Sequence, residues 1–154
     1  MNSIHVTLAD PTQPDARALI AALDLYLGQL YQPEDNHLLD PEQLRAPDMR
    51  FLLARRDGRA VGCGALRLDP AAGYAEVKRM YVDPVHRGRG IAGAIMAQLE
   101  ELARAEGIPL LKLETGDLQR EAVGLYRRLG FTDCGAFGEY SCGGGASIFM
   151  EKHL

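Results

Sequence analysis

Apolar and polar residues alternate through the stretch SIHVTLA, and DPTQP then breaks the pattern, which predicts a first strand over 3–9. Between Asp15 and Tyr31 the period lengthens. Leu19, Ile20, Leu23, Tyr26, Leu27 and Leu30 fall on one face of a helix. The next segment, QPEDNHLLDPEQLRAPD, is polar and interrupted by proline. It predicts an irregular connection with at most one helical turn at PEQLR, the kind of segment that carries specificity residues. RFLLARRDGRAVGCGALRLD reads as two strands around an Asp57-Gly58 hairpin turn. AGYAEVKRMYV is a further strand, stopped by Asp83-Pro84.

A second helix follows from about Gly88 to Glu106, with a buried stripe of Ile91, Ile95, Leu99 and Leu102, ended by Gly107 and Pro109. PLLKLET is nearly continuously apolar and predicts a central strand buried on both faces. Residues 119–129 place Ala122, Leu125, Tyr126 and Leu129 on one helical face, closed by Gly130. FTDCGAF and ASIFMEKHL are the last strands, joined by GEYSCGGG. The element order is β-α-β-β-β-α-β-α-β-β. With no repeat or linker, the 154 residues predict a single domain spanning 1–154.

Composition narrows the function. A net charge of −4 argues against a duplex nucleic-acid partner, which calls for a basic stripe. No stretch is apolar enough to span a membrane, and the N-terminus lacks the layout of a secretion signal. Three cysteines without paired spacing predict a reducing, cytoplasmic setting. Four scattered histidines and the lack of a CxxC predict no metal site.

Against this background one stretch stands out. GRGIAG carries Gly88, Gly90 and Gly93 in the G-x-G-x-x-G spacing of dinucleotide-binding folds, with Glu114 at the distance of a ribose contact. The context rejects that reading. The preceding strand stops at Val82, DPVHR intervenes, and too few elements follow to complete such a sheet. What remains is a strand, a turn, and Arg87-Gly88-Arg89-Gly90-Ile91-Ala92 opening a helix. Helix-start N–H groups lack partners and carry partial positive charge. Glycines leave room at those N–H groups and admit left-handed backbone, and the two arginines add charge. The stretch predicts an anion cradle.

With these residues the sequence resembles the GNAT superfamily of N-acetyltransferases. Its cofactor motif, Arg/Gln-x-x-Gly-x-Gly/Ala after a strand, is met by Arg87, Gly90 and Ala92. A second signature is met by Ala122 and LYRRLGF, and nearly the whole chain follows the family's element order. The resemblance implies an α/β (α+β) fold, a mixed central sheet of six to seven strands flanked by about four helices. It implies acetyl-CoA as co-substrate, no metal, and a small-molecule amine acceptor, and it leaves a homodimer open.

By the same resemblance, the fourth strand would carry a bulge, and Met80, Tyr81 and Val82 after it would pair with the pantetheine arm like an added strand. The helix start, from Arg87 through Gly88, Arg89, Gly90, Ile91 and Ala92 to Gly93, would hold the pyrophosphate. Gln119 stands where many members carry an asparagine that contacts the arm. Glu76 is the expected base and Tyr126 the expected acid, in a direct attack on acetyl-CoA. Other readings are an ion-paired Glu76 and a Tyr126 that only packs. A covalent route is less favoured, because Cys63 reads as core, Cys134 follows a strand pattern, and no histidine is placed beside Cys142. The acceptor is expected among Tyr31, Asn36, His37, Arg45, Phe137, Tyr140 and Ser147, with Tyr140 in a mobile-looking loop. Lys78 and Arg79 are read either as ligands for an acceptor carboxylate or as a solvated pair. Two further alternatives stand: an acyl-CoA-binding regulatory module without catalysis, and a transferase for protein lysines or N-termini.

Overall fold

In the computed structural model, which describes residues 3–33, 38–140 and 146–154, seven strands form one sheet. They are β1 (Ile4–Leu8), β2 (Met49–Arg56), β3 (Arg59–Asp69), β4 (Tyr74–Val82), β5 (Leu110–Gly116), β6 (Thr132–Asp133) and β7 (Ser147–His153), in the order β1-β2-β3-β4-β5-β7-β6. β4 and β5 are parallel and every other pairing is antiparallel. The described residues form three α-helices, α1 (Pro14–Leu30), α2 (Ile91–Ala105) and α3 (Arg120–Arg128), together with short 3-10 turns such as Gln43–Arg45.

The period-two pattern of the strands sorts the core onto two faces. Leu52, Ala54, Leu66, Val77, Leu111 and Leu113 pack with Ile95, Leu99 and Tyr126 of α2 and α3. Phe51, Leu53, Cys63 and Ala65 point the other way, onto Ala16, Leu19 and Ile20 of α1. The hairpin between β2 and β3 turns at Asp57 and Gly58, at φ of 52° and 78°, the left-handed pair that matches strand twist. Gly64 lets α2 sit close to β3. A Cβ there would lie 2.8 Å from Ile95 Cγ2 and 2.9 Å from Met80 Sδ.

Two expectations change. β5 is buried on one face only: Leu111 and Leu113 are core, while Lys112 and Glu114 are half-buried on the other side. The Lys112 ammonium lies 5.6 Å over the Tyr74 ring and 5.3 Å over Phe137, so its stem covers aromatic surface while its charge stays paired with Glu151. FTDCGAF keeps only Thr132 and Asp133 as paired strand. After the Cys134 N–H reaches Phe149 O at 2.9 Å, the chain leaves the sheet edge.

Candidate active site

The site is organised by one irregularity in β4. Cys63 pairs with Tyr81 and Ala65 with Lys78, so Gly64 alone opposes both Arg79 and Met80. Such a bulge re-aims side chains. Arg79 takes the strain, at φ 55°. Before it, Ala75 and Val77 enter the α2/α3 core, while Glu76 and Lys78 project to the opposite face. Arg79 also reaches the α1 side, where its Nη2 donates to Ile20 O and Asp24 Oδ1, and Met80 returns to the α2/α3 side. Two consecutive residues, Lys78 and Arg79, therefore share a face.

Beyond the bulge the sheet opens. β4 and β5 pair only from Ala75–Val77 to Leu111–Leu113, although β4 runs on to Val82 and β5 to Gly116. The backbone of Met80, Tyr81 and Val82 thus borders a gap, with main-chain groups available to a ligand that lies in it as a strand would.

A cavity of about 390 Å³ runs along this gap to the start of α2. All the residues expected at the cofactor line it except Arg89, which is exposed. The link from β4 is a 3-10 turn, Pro84–His86, capped by Asp83 accepting from the Val85 N–H at 3.1 Å. Gly88 and Gly90 stand at φ 79° and 78°, and Gly90 is the N-cap of α2 with no side-chain cap. The first amides of α2 therefore face the cavity unsatisfied. A Cβ at either glycine would meet nothing within 4 Å, so it is φ, rather than crowding by neighbours, that requires glycine there. Arg87 is held beside them, its Nε donating to Val82 O at 3.1 Å and its guanidinium lying 5.9 Å over the Tyr81 ring. Open backbone N–H groups at a helix start, next to an arginine, fit a pyrophosphate.

A second, smaller cavity of about 90 Å³ lies on the α1 side, lined by Tyr31, Glu76, Lys78, Arg79, Glu114, Tyr140 and Ser147 among others. Leu23, Met80, Gln119 and Tyr126 line both cavities, so the two meet there. The Tyr126 hydroxyl has no hydrogen-bond partner among the described residues. Its ring packs edge-on against Phe131 at 5.9 Å, and burial pushes its phenol well above the usual range.

In the smaller cavity Glu76 is the ion-paired carboxylate that its spacing from Lys78 allowed. Lys78 Nζ donates to Glu76 Oε2 at 2.9 Å, and the Tyr140 hydroxyl donates to the same oxygen at 2.5 Å. Nζ also donates to the Tyr140 oxygen at 2.8 Å. Lys78 and Arg79 are 8% and 7% exposed, which overturns the solvated pair. Tyr140 is not in a mobile loop. It ends a 3-10 turn (Gly138–Tyr140), is buried, and packs on Phe137 and Phe149 with ring centroids 5.3 and 5.7 Å away. Burial and the Glu76 carboxylate both raise its phenol.

Tyr31 spans the end of α1 and the loop before α3, its hydroxyl accepting from the Leu118 N–H at 3.0 Å. Ser147 donates to Glu114 Oε2 at 2.8 Å. Phe137 stands behind Tyr140, and Arg45 pairs with Glu42 on another surface. Asn36, His37 and Cys142 lie outside the described residues. Two site residues were underrated in the sequence: Glu114, read only as a false ribose contact, and Arg79. The pairing of Glu114 with Lys112 in period two was the available signal for the first.

Cys63 is core. Its thiol donates to Arg79 O at 3.4 Å, and burial pushes it up to about 12. Among the described residues no group of three His, Cys, Asp or Glu gathers as metal ligands would, and no helix is long and apolar enough to cross a membrane.

The family model described as Acetyltransferase (GNAT) family matches residues 16–131. The chain is 47% identical, over 100% of both chains, to the IAA acetyltransferase of Azospirillum brasilense. A solved structure from Klebsiella pneumoniae, assigned to the acyl-CoA N-acyltransferases, is 39% identical with a TM-score of 0.82, covering 98% of this chain and 97% of that one. PaiA N-acetyltransferase from Thermoplasma acidophilum, solved in complex with coenzyme A, shares the fold at 21% identity and a TM-score of 0.74, over 99% of both chains.

Proposed function

The chain belongs to the acetyltransferase (GNAT) family and is an acyltransferase, and on that premise we propose that it transfers an acetyl group from acetyl-CoA directly to the primary amine of a small molecule. The observation that carries this reading is the junction of the two cavities at Met80, Gln119 and Tyr126. A thioester entering along β4 from the α2 side meets there an amine held on the α1 side.

The pyrophosphate rests on the α2 amides and Arg87, and the pantetheine arm lies along Met80–Val82. An alkyl amine with a pKa of about 10 must first lose a proton. Glu76 takes it, directly or through one water, at Oε1. Lys78 and Tyr140 occupy Oε2, and Oε1 accepts no hydrogen bond among the described residues. The amine nitrogen bonds to the carbonyl carbon while a strand N–H near Met80 steadies the oxygen that gains charge. The carbon–sulfur bond then breaks. Tyr126, kept protonated by burial, passes its hydroxyl proton to the departing sulfur, whose own pKa is about 8.5, and takes in exchange the second proton of the attacking nitrogen, which turns acidic once bonded to the carbonyl carbon, so that amide, thiol and neutral phenol remain. We take the reaction to be cytoplasmic and the catalytic unit to be one domain, readings that the free thiols of Cys63 and Cys134 and the single sheet support.

The test is release of coenzyme A thiol against a panel of amino acids, polyamines, aminoglycosides and a lysine peptide. Turnover with a small amine supports the proposal. Tight acetyl-CoA binding without turnover on any amine overturns it in favour of a binding module. Turnover with the peptide alone overturns the small-molecule acceptor.

A further inference from the structure

The smaller cavity contains an unbalanced set of charges. The Arg79 side chain is 3% exposed, and only its Nη2 is engaged, by Ile20 O and Asp24 Oδ1. Its Nε and Nη1 are buried with no hydrogen-bond partner among the described residues. A guanidinium carries five N–H donors, and leaving charged donors buried and unpaired costs more than any neutral contact returns. The Asp24 carboxylate is 46% exposed and offsets that charge only partly, since it is shared with water. Arg79 also sits in left-handed backbone, a second cost concentrated at the same residue. It lines the acceptor cavity and not the cofactor cavity.

The remaining charges do not complete it. Lys78 and Glu76 satisfy one another. On β5, Glu114 lines the same cavity and accepts only the neutral hydroxyl of Ser147, with no cationic partner among the described residues. The cavity is therefore bordered by a buried guanidinium whose Nε and Nη1 lack an anion and by a carboxylate in need of a cation. A polyamine or an aminoglycoside would supply only the second.

We propose that the acceptor is a zwitterion of amino-acid type, its carboxylate held by Arg79 and its ammonium drawn in by Glu114. This rests on the acetyltransferase reading and names the substrate class of that same site. Arg79 and Glu114 act in recognition, and Glu76 keeps the proton-transfer step.

The test is calorimetric titration of the coenzyme A-loaded protein with amino acids and, in matched pairs, their primary amides, which keep the ammonium and lose the anion. At least one amino acid is expected to bind about 10- to 100-fold tighter than its amide, the effect of one charge-assisted hydrogen bond. Arg79→Met should erase that preference and leave coenzyme A affinity unchanged. Asp24→Asn, which removes the competing carboxylate and keeps the guanidinium, should retain or sharpen it, and this variant serves as the arm if Arg79→Met does not fold. Equal binding of acid and amide, no binding by any amino acid, or a preference that survives Arg79→Met would each overturn the proposal. Thiol release with the same compounds separates the two readings. Amides acetylated as well as acids sink the acceptor class alone, whereas the absence of acetylation of any amine, with acids still bound in preference to their amides, sinks the transferase reading and leaves the binding preference standing.

Discussion

Tyr140 and Lys78 donate to one and the same oxygen of Glu76, Oε2, over 2.5 and 2.9 Å. The carboxylate is thereby fixed in rotation and its second oxygen is turned to the cavity. Glu76→Gln should lower kcat by about 10²- to 10⁴-fold, the usual contribution of a positioned base, with the KM for acetyl-CoA unchanged. Because the change strands a buried ammonium, stability should also fall, by about 3–5 kcal/mol, in urea unfolding. Unaltered kinetics would remove Glu76 from the mechanism.

Tyr140→Phe tests positioning apart from charge. It removes one donor from Oε2 and leaves Lys78 in place. A loss of about 1–3 kcal/mol in stability is expected, with a smaller fall in kcat than for Glu76→Gln. A kcat equal to wild type at every pH would show that Tyr140 only packs.

Tyr126→Phe keeps the ring against Phe131 and removes the hydroxyl at the cavity junction. Folding should be preserved and acetyl-CoA binding nearly so, while kcat falls, most steeply for the most basic leaving thiols. Full activity would reduce Tyr126 to core.

The buried thiol of Cys63 links stability to alkaline pH. Its folded-state pKa is raised to about 12 by burial, whereas an unfolded thiol ionises near 8.5. Above that pH the unfolded chain releases a proton that the folded chain keeps. The group's contribution is therefore full below about pH 8.5 and is lost as pH rises toward 12, by about 1.4 kcal/mol per pH unit. Urea midpoints from pH 8 to 11 should fall accordingly, and Cys63→Ala should flatten the slope. An identical slope in the variant would contradict the assignment.

The cofactor end of the site was legible in the sequence because it depends on local backbone. Gly88 and Gly90 before an amphipathic helix declare left-handed turns and a bare helix start, and both occur. The acceptor end depends on cross-strand register and on chain far away in sequence. The bulge that turns Arg79 toward α1 needs β3 as well as β4; the family resemblance implied a bulge in this strand, but no residue of VKRMYV announces which side chain it turns. Tyr140 looked mobile among glycines, but Glu76 and Lys78 of β4 and Phe149 of β7 bury it together with its near neighbour Phe137. Lys112 and Glu114 were hidden in an apolar run because their neighbours Leu111 and Leu113 dominate its hydropathy.

Gly116 and Tyr31 show the same dependence on distant chain and can be tested as a pair. A Cβ on Gly116 would fall 1.9 Å from the Tyr31 hydroxyl oxygen and 2.2 Å from its Cζ, so the tyrosine occupies the space the glycine leaves. The contact ties the end of α1 to the loop ahead of α3, where Leu118 donates to that hydroxyl. Gly116→Ala must displace the ring and should destabilise by about 1–3 kcal/mol. It should raise the acceptor's KM more than that of acetyl-CoA, because Tyr31 lines only the acceptor cavity. Tyr31→Ala alone should also destabilise, through the lost packing and hydrogen bond. The double variant should cost clearly less than the sum, since without the ring the atoms nearest the new methyl are gone, giving a coupling of about 0.5–3 kcal/mol in urea unfolding. Strict additivity would mean that the two side chains do not compete for that space in solution.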